Sequence, residues 1–508
     1  MDELKNLHNP ETNDTSYDHV LKYTGIFGGV QGLKILASVV REKFTALILG
    51  SGGKGLIGKY SRVSDFLVNA SNMGIPLNAT RKTSELFEEG TEEQIAHQVM
   101  VIRTWVLWSA LLSVLICLFF SPVISYYFFD NDWSYWPAVM LISPASVTNI
   151  IAEGECAVLK GLRQVRKVAL IETLLAIGTL LCTIPLYCLM GIRGIIVGLI
   201  ICGFMSAAVH FFFSLRLVSY KVKPFSRTTF VEGLPLIKVG IPYVLAGVAG
   251  ACLQMVIAAI ILSSHSDSEL GFFDTGWKLM IGYAGMVLLA LESDYFPRLS
   301  SVQNDRRRMN DTINQQIDVC SLVVSPILVL LVIFMPFVLQ LLSSQEFLVV
   351  EGMATLSVFY TFLRCISLPI GYSVLAKGHS IAFLALEICF DIFFGLLVWW
   401  LYNACGLIGA GIAFSVGAFY DVAINYLYCH FRYGFVFHRS TLLYCLGQFT
   451  CLLVAVVCCF LVPVSDVGKY AIGGLAFIAS SAMSLHQLAM RSDGARRLLR
   501  KMRGRTPH

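Results

Sequence analysis

The feature that most constrains this chain is a succession of apolar stretches, each about as long as a bilayer is thick, with isolated basic residues inside them. A spanning helix needs about 20 mostly apolar residues. Stretches of that kind fall at about 23–49, 55–80, 98–120, 136–158, 168–190, 194–216, 236–262, 271–296, 317–342, 350–376, 381–403, 407–430, 441–462 and 468–489. Lys34, Arg41, Arg62, Lys278 and Arg364 lie within them. A charge at the centre of a membrane helix costs roughly 2.5–3.5 kcal/mol, so it faces protein or water and marks a function. The chain is 56% hydrophobic and 14% charged, whereas soluble domains carry roughly 25% charged residues. A large soluble domain is thereby excluded. The expectation is an all-α polytopic membrane protein with about 14 transmembrane helices.

Loop charges orient it. Cytoplasmic loops carry excess Lys and Arg. With the N-terminus inside, the outer loops hold only Lys54, Lys59, Arg193 and Lys469; the remaining Lys and Arg fall inside or within spans. Both termini are therefore expected in the cytoplasm. The first 22 residues are polar and mildly acidic, unlike a signal peptide, so the first apolar helix serves as the anchor. Topology accounts for the basic tail, and no nucleic-acid partner is expected. Outer loops this short leave no room for a soluble catalytic domain, so an enzyme is not expected.

The chain also repeats at an offset of about 215 residues. Glu172, Leu186-Tyr187, Gly191, Gly194 and Arg216 recur as Glu387, Leu401-Tyr402, Gly406, Gly409 and Arg432; Gly55 maps to Gly271. Six helices per copy preserve orientation, so the copies run parallel, a plan that places a cargo site between the halves. The expected organisation is a cytoplasmic segment 1–22, six-helix lobes 23–230 and 231–432, helices 13–14 over 433–490, and a basic tail 491–508.

Within that frame the polar residues form stripes. Gln31, Lys34, Ser38, Arg41 and Thr45 recur at helical spacing, as do Arg62, Asp65, Asn69 and Asn72. Asp274 and Lys278 are one turn apart and can pair. The repeat makes Arg62 and Lys278 equivalent. A cationic cavity implies an anionic cargo, and Arg suits phosphate because its planar fork binds two oxygens at once. Pairing with nearby acids is the competing reading, strongest for Arg364. Asp65, Asp274, Glu172 and Glu387 are candidate coupling carboxylates, with H⁺ or Na⁺ as the ion; Asp391 and Asp421 read as structural. No other cofactor and no metal is expected. The fifteen cysteines sit in apolar stretches without metal-site spacing, and Gly53–Tyr60 misses the P-loop pattern at its last position.

Gly28-Gly29-Val30-Gln31-Gly32-Leu33-Lys34-Ile35-Leu36 with Val40-Arg41, Ser71-Asn72-Met73-Gly74-Ile75-Pro76 with Thr80-Arg81, and Asp294-Tyr295-Phe296-Pro297-Arg298-Leu299-Ser300 with Asn314-Gln315-Gln316 together resemble bacterial O-antigen and capsular polysaccharide flippases. These form the polysaccharide branch of the MATE-like multidrug/oligosaccharidyl-lipid/polysaccharide exporter superfamily. The resemblance implies two six-helix bundles around a central cationic cavity. It implies a monomer of the bacterial inner membrane that flips undecaprenyl-pyrophosphate-linked oligosaccharide from the cytoplasmic to the periplasmic leaflet by alternating access, alongside glycan polymerase or ligase machinery. The helix count is also similar to the lipid II flippase branch, where helices 1, 2 and 8 supply cavity cations; Lys34 or Arg41, Arg62 and Lys278 would correspond. Lys278 stands where that branch usually has Arg. A MATE-type multidrug antiporter is the alternative, although that class would line its cavity with acids.

Overall fold

The computed structural model describes residues 17–128, 133, 136–219, 221–224, 226–264, 267–283, 288, 295, 298–300, 302–461 and 466–491. The segment 1–16, the tail from 492, Asp294, Phe296, Pro297, much of the expected span 271–296 and the side chain of Gln31 lie outside the described residues. Among the described residues every regular element is a helix. The chain is thus an all-α, multi-pass membrane protein. Among the described residues seven segments are long and apolar enough to cross a membrane, and two of them, Arg166–Leu215 (50 residues) and Ser380–Tyr433 (54 residues), each hold two legs about a glycine.

The chain divides into two compact units, Met1–Gly271 and Phe272–His508. The repeat boundary at 230/231 is a different division, because the helix after it packs within the first unit. In that unit, α1 (Tyr17–Ser71) is broken at Gly50, whose φ of 66° and ψ of −170° suit only glycine. Its second leg ends at Ser71, not at the expected 80. The Asn72 carboxamide oxygen accepts the Gly74 N–H at 3.0 Å, Met73 and Gly74 take left-handed φ values of 51° and 69°, and Pro76 opens α2 (Ile75–Glu89). Helix α2 is a surface helix: Ile75 and Ala79 are buried, while Glu85 on the outer face pairs with Arg81 and Lys82 at 3.1 and 3.3 Å. A reciprocal Thr91–Gln94 capping pair starts α3 (Glu92–Phe128). Then come α4 (Trp136–Met140), α5 (Ser143–Gly161), α6 (Val165–Met190), α7 (Gly194–Leu215), α8 (Arg227–Ser264) and α9 (Asp267–Trp277), which runs into the second unit.

That unit continues with a π-helical turn at Lys278–Tyr283, then α10 (Arg306–Ile333), α11 (Met335–Leu342), α12 (Glu351–Ala376), α13 (Ser380–Tyr433, broken at Gly406), α14 (Arg439–Val456) and α15 (Asp466–Arg491). Helix α12 is its core, with Met353, Phe362, Ile370 and Val374 buried, whereas α13 turns Ile392, Leu396 and Trp400 outward as an apolar face. Such exposure in an apolar helix is what lipid contact requires.

The repeat is visible in local geometry. Gly191 and Gly406 break their helices with near-identical dihedrals, φ/ψ of 56°/−133° and 59°/−139°. A Cβ on Gly194 would meet the Leu186 carbonyl, and one on Gly409 the Leu401 carbonyl. Gly55 and Gly271, also repeat mates, pack backbone to backbone where α9 crosses α1: Gly55 lies on the Asp267 carbonyl and Gly271 on the Ser51 carbonyl.

Candidate functional site

In the first unit, Lys34 and Glu172 are brought together. The Lys34 ammonium donates to Glu172 Oε2 at 2.6 Å, with each side chain 35% exposed. Lys34 lies on α1 and Glu172 on α6, so a cation with no acid within a turn of it on its own helix finds one on a neighbour. The pair is accessible to solvent or ligand, not sealed. Ser38 and Arg41 follow on the same stripe, half-buried, and Thr45 is buried. Among the described residues Arg41 makes no ion pair; the adjacent Glu42 instead faces Lys54 at 3.5 Å.

The second leg of α1 carries a cluster that the sequence had placed elsewhere. Lys54 and Lys59, expected in an outer loop, are helical and buried at 6% and 3% exposure. Lys59 pairs with Asp267 at 2.5 Å. The outer-loop assignment is corrected for both, because only the break at Gly50 is a turn. Arg62, one turn further, is also buried, whereas Asp65 is exposed. Asn69 donates to the Asp65 carbonyl at 2.9 Å and lies against Gly247 of α8. Asn72 is engaged in the turn described above.

In the second unit Asp274 is buried and Lys278, at the start of the π turn, is exposed. Arg364 of α12 pairs with Asp421 of α13 at 2.8 Å, and Asn425 donates to the other Asp421 oxygen at 2.8 Å. Glu387 lies in the electrostatic surroundings of Arg364. Of the repeat-related glutamates, Glu172 pairs directly with a cation, Lys34, whereas Arg364 is taken by Asp421 and not by Glu387.

Sequence reasoning passed over Arg103. Its side chain, 3% exposed, holds Glu155 through Nε and Nη2 at 2.7 and 3.0 Å. Nothing in its local sequence marks it, since Glu155 is 52 positions away. Among the described residues no three His, Cys, Asp or Glu side chains gather as a metal site, and all fifteen cysteines are free thiols.

The arrangement resembles that of solved transporters. Lipid II flippase MurJ in an inward closed conformation superposes with a TM-score of 0.68 at 16% identity, covering 91% of this chain and 99% of that one. An inward-facing multidrug resistance MATE family transporter of the MOP superfamily gives 0.60 at 15%, covering 80% and 94%. A MOP superfamily transporter from Pyrococcus furiosus, described as having a binding pocket of reverse polarity, gives 0.56 at 13%, covering 80% and 93%. These define the fold, which is similar to that of a lipid II flippase and of multidrug transporters. No curated protein matches in sequence. Residues 55–351 match the polysaccharide biosynthesis protein family, and the chain belongs to that family.

Proposed function

We propose that the protein flips undecaprenyl-pyrophosphate-linked oligosaccharide from the cytoplasmic to the periplasmic leaflet of the bacterial inner membrane. Family membership supports a role in polysaccharide assembly, and the fold supports alternating access. The observation that carries the reading is the half-exposed Lys34–Glu172 pair. A pyrophosphate is a stronger partner for an ammonium than one carboxylate, because it brings more charge and more acceptor oxygens. It displaces Glu172 from Lys34, and Arg41 and Arg62 on the same helix add charge. Lys278 and Arg364 enter the proposal as cations of the second unit. The sugars meet polar groups such as Gln31, Ser38, Asn69 and Asn72, and the prenyl tail stays in lipid. Once cargo has left on the outer side, Glu172 takes up H⁺ or Na⁺ there, and release of that ion into the cytoplasm re-forms the pair with Lys34, so the inward gradient resets the cycle. Asp65, Asp274 and Glu387 are further candidates for that role. The protein acts as a monomer with both termini cytoplasmic and delivers to the glycan polymerase or ligase.

The coverage of MurJ, 99% of that chain, supports lipid II as a second cargo, with the same pyrophosphate chemistry. The test is deletion in the host, followed by extraction of lipid-linked glycans and an externally added glycosidase. Build-up of enzyme-protected lipid-linked oligosaccharide supports the proposal; accumulation of lipid II supports the second reading. Normal glycans with raised sensitivity to cationic dyes refute both in favour of drug efflux.

A further inference from the structure

We propose that the end of the second unit where α10, α12 and α13 meet binds the phosphate headgroup of an anionic phospholipid. Two adjoining cavities, of about 280 and 600 Å³, share Arg306, Asn310 and Gly434. The inner one is lined by Lys377, His430, Arg432 and Tyr433 as well. The outer one adds Arg307 and His438. Asp311 is the carboxylate among these described lining residues, and His438 engages it at 3.1 Å.

The pocket is built, not incidental. Helix α13 ends in a left-handed Gly434, φ 68°, with the paired closing bonds Gly434 N–H to His430 O (2.9 Å) and Phe435 N–H to Cys429 O (3.2 Å). The Arg306 guanidinium occupies the space where a Cβ at position 434 would sit, and donates to the Gly434 carbonyl at 3.4 Å. The His379 ring stacks on Tyr433 and bonds its hydroxyl at 2.6 Å, and the Lys377 ammonium lies 5.9 Å from the same ring while donating to the Gln303 carbonyl. An ammonium has three donors and a guanidinium five, so both cations keep donors for a ligand after these contacts.

The surroundings select lipid over a free ion. Beside Arg432, Phe431 is 82% exposed, and Leu427 and Val436 are also exposed. Exposed aromatic and aliphatic side chains beside cations, at the end of a spanning helix, are the composition of a membrane interface. Basic pockets between helices on the cytoplasmic side bind anionic headgroups, and the loop charges place this end on that side. The inference does not rest on the transport reading.

The experiment uses the purified, delipidated full-length chain in detergent. Phosphatidylglycerol, phosphatidylcholine, inorganic phosphate and pyrophosphate are titrated, with bound lipid read by native mass spectrometry and stability by thermal shift. Phosphatidylglycerol is expected to bind and raise Tm, and phosphatidylcholine not to. The double variant Arg306→Gln/Arg432→Gln is expected to bind about thirtyfold more weakly, the loss of two near-surface cations. Lys377→Gln, a second variant should the first misfold, is expected to lose about fivefold. Arg308→Gln removes the same charge outside the pocket, from a side chain paired with Asp305, and should bind normally. Equal weakening by Arg308→Gln would mean diffuse surface charge and overturn the proposal. So would equal binding of phosphatidylcholine, or displacement by free phosphate or pyrophosphate at matching concentrations, which would make this a soluble-anion site.

Discussion

Arg103 offers the sharpest energetic test. Its five N–H donors are all used: Nε and one Nη2 proton on Glu155 (2.7 and 3.0 Å), the other Nη2 proton on Ser214 Oγ (3.0 Å), and the Nη1 pair on the Val218 and Ser219 carbonyls (3.3 and 3.0 Å). One side chain thus ties α3, α5, the end of α7 and the segment leading to α8. Arg103 and Glu155 are 3% and 4% exposed, so little solvent screening applies. Replacing Arg103 by Met leaves a buried carboxylate without its counter-charge, which costs about 3–5 kcal/mol. At roughly 2–4 °C per kcal/mol for a unit of a few hundred residues, Tm should fall by roughly 6–20 °C. Glu155→Gln removes the charge but keeps an acceptor, and the double variant Arg103→Met/Glu155→Gln should recover at least about 2 kcal/mol relative to the sum of the singles. Arg103→Lys keeps the charge but has three donors for five contacts, so it should be intermediate. The assay is thermal denaturation of purified protein in detergent, followed by fluorescence-detected gel filtration. Additive losses in the double variant would refute the pairing argument, whatever their size.

Glu172→Gln should leave Lys34 without its carboxylate and weaken export through the reset step, whereas Lys34→Gln should abolish cargo binding; export assayed in cells and binding of a pyrophosphate lipid to purified protein separate the two, and unchanged binding in Lys34→Gln would sink the cargo assignment. Gly55→Leu should destabilise the first unit by about 3 kcal/mol or more, since its side chain must displace the Asp267 carbonyl from the crossing; unchanged Tm would show that the crossing is not close-packed. Arg364→Met should cost about 3 kcal/mol by stranding Asp421, 5% exposed, with recovery in Arg364→Met/Asp421→Asn measured by the same denaturation assay. Lys59→Met should loosen the α1–α9 crossing by removing its ion pair with Asp267, read as faster limited chymotrypsin cleavage; an unchanged digestion rate would show that the pair does not hold the crossing.

The polytopic class was legible because hydropathy acts locally: a stretch of about 20 apolar residues declares itself without any partner. The glycine breaks were legible for the same reason, since Gly191 and Gly406 recur in the repeat and each takes a φ that only glycine adopts readily. Ion pairs were not legible. Lys54 and Lys59 sit in a glycine-rich, loop-like stretch, and what buries them is Glu42 on the first leg of α1 and Asp267 some two hundred residues later. Lys34 and Glu172 were each singled out, one as a binding cation and one as a coupling acid, and only the fold makes them one object. Asn72 continued a helical stripe on paper, yet the Met73-Gly74 turn takes it off the helix and uses its side chain to close the chain reversal.

The charges inside this protein fall into two kinds, and burial separates them. Arg103–Glu155 is sealed and saturated, with no donor left for a ligand. Lys34–Glu172 is short but 35% exposed on both sides, and a single ammonium–carboxylate bond holds it. A sealed pair resists exchange because each partner, once separated, is stranded in a low-dielectric interior. A half-exposed pair separates at much smaller cost, because water or a second anion can take up either charge. The proposed transport cycle needs both: fixed pairs that keep the unit rigid, and an exchangeable pair that binds cargo and releases a carboxylate in the same event. On this reasoning the functional cation is distinguished from the structural one by how readily its partner can be replaced, and the Lys34–Glu172 pair meets that condition where the buried cations Lys54, Lys59 and Arg103 do not.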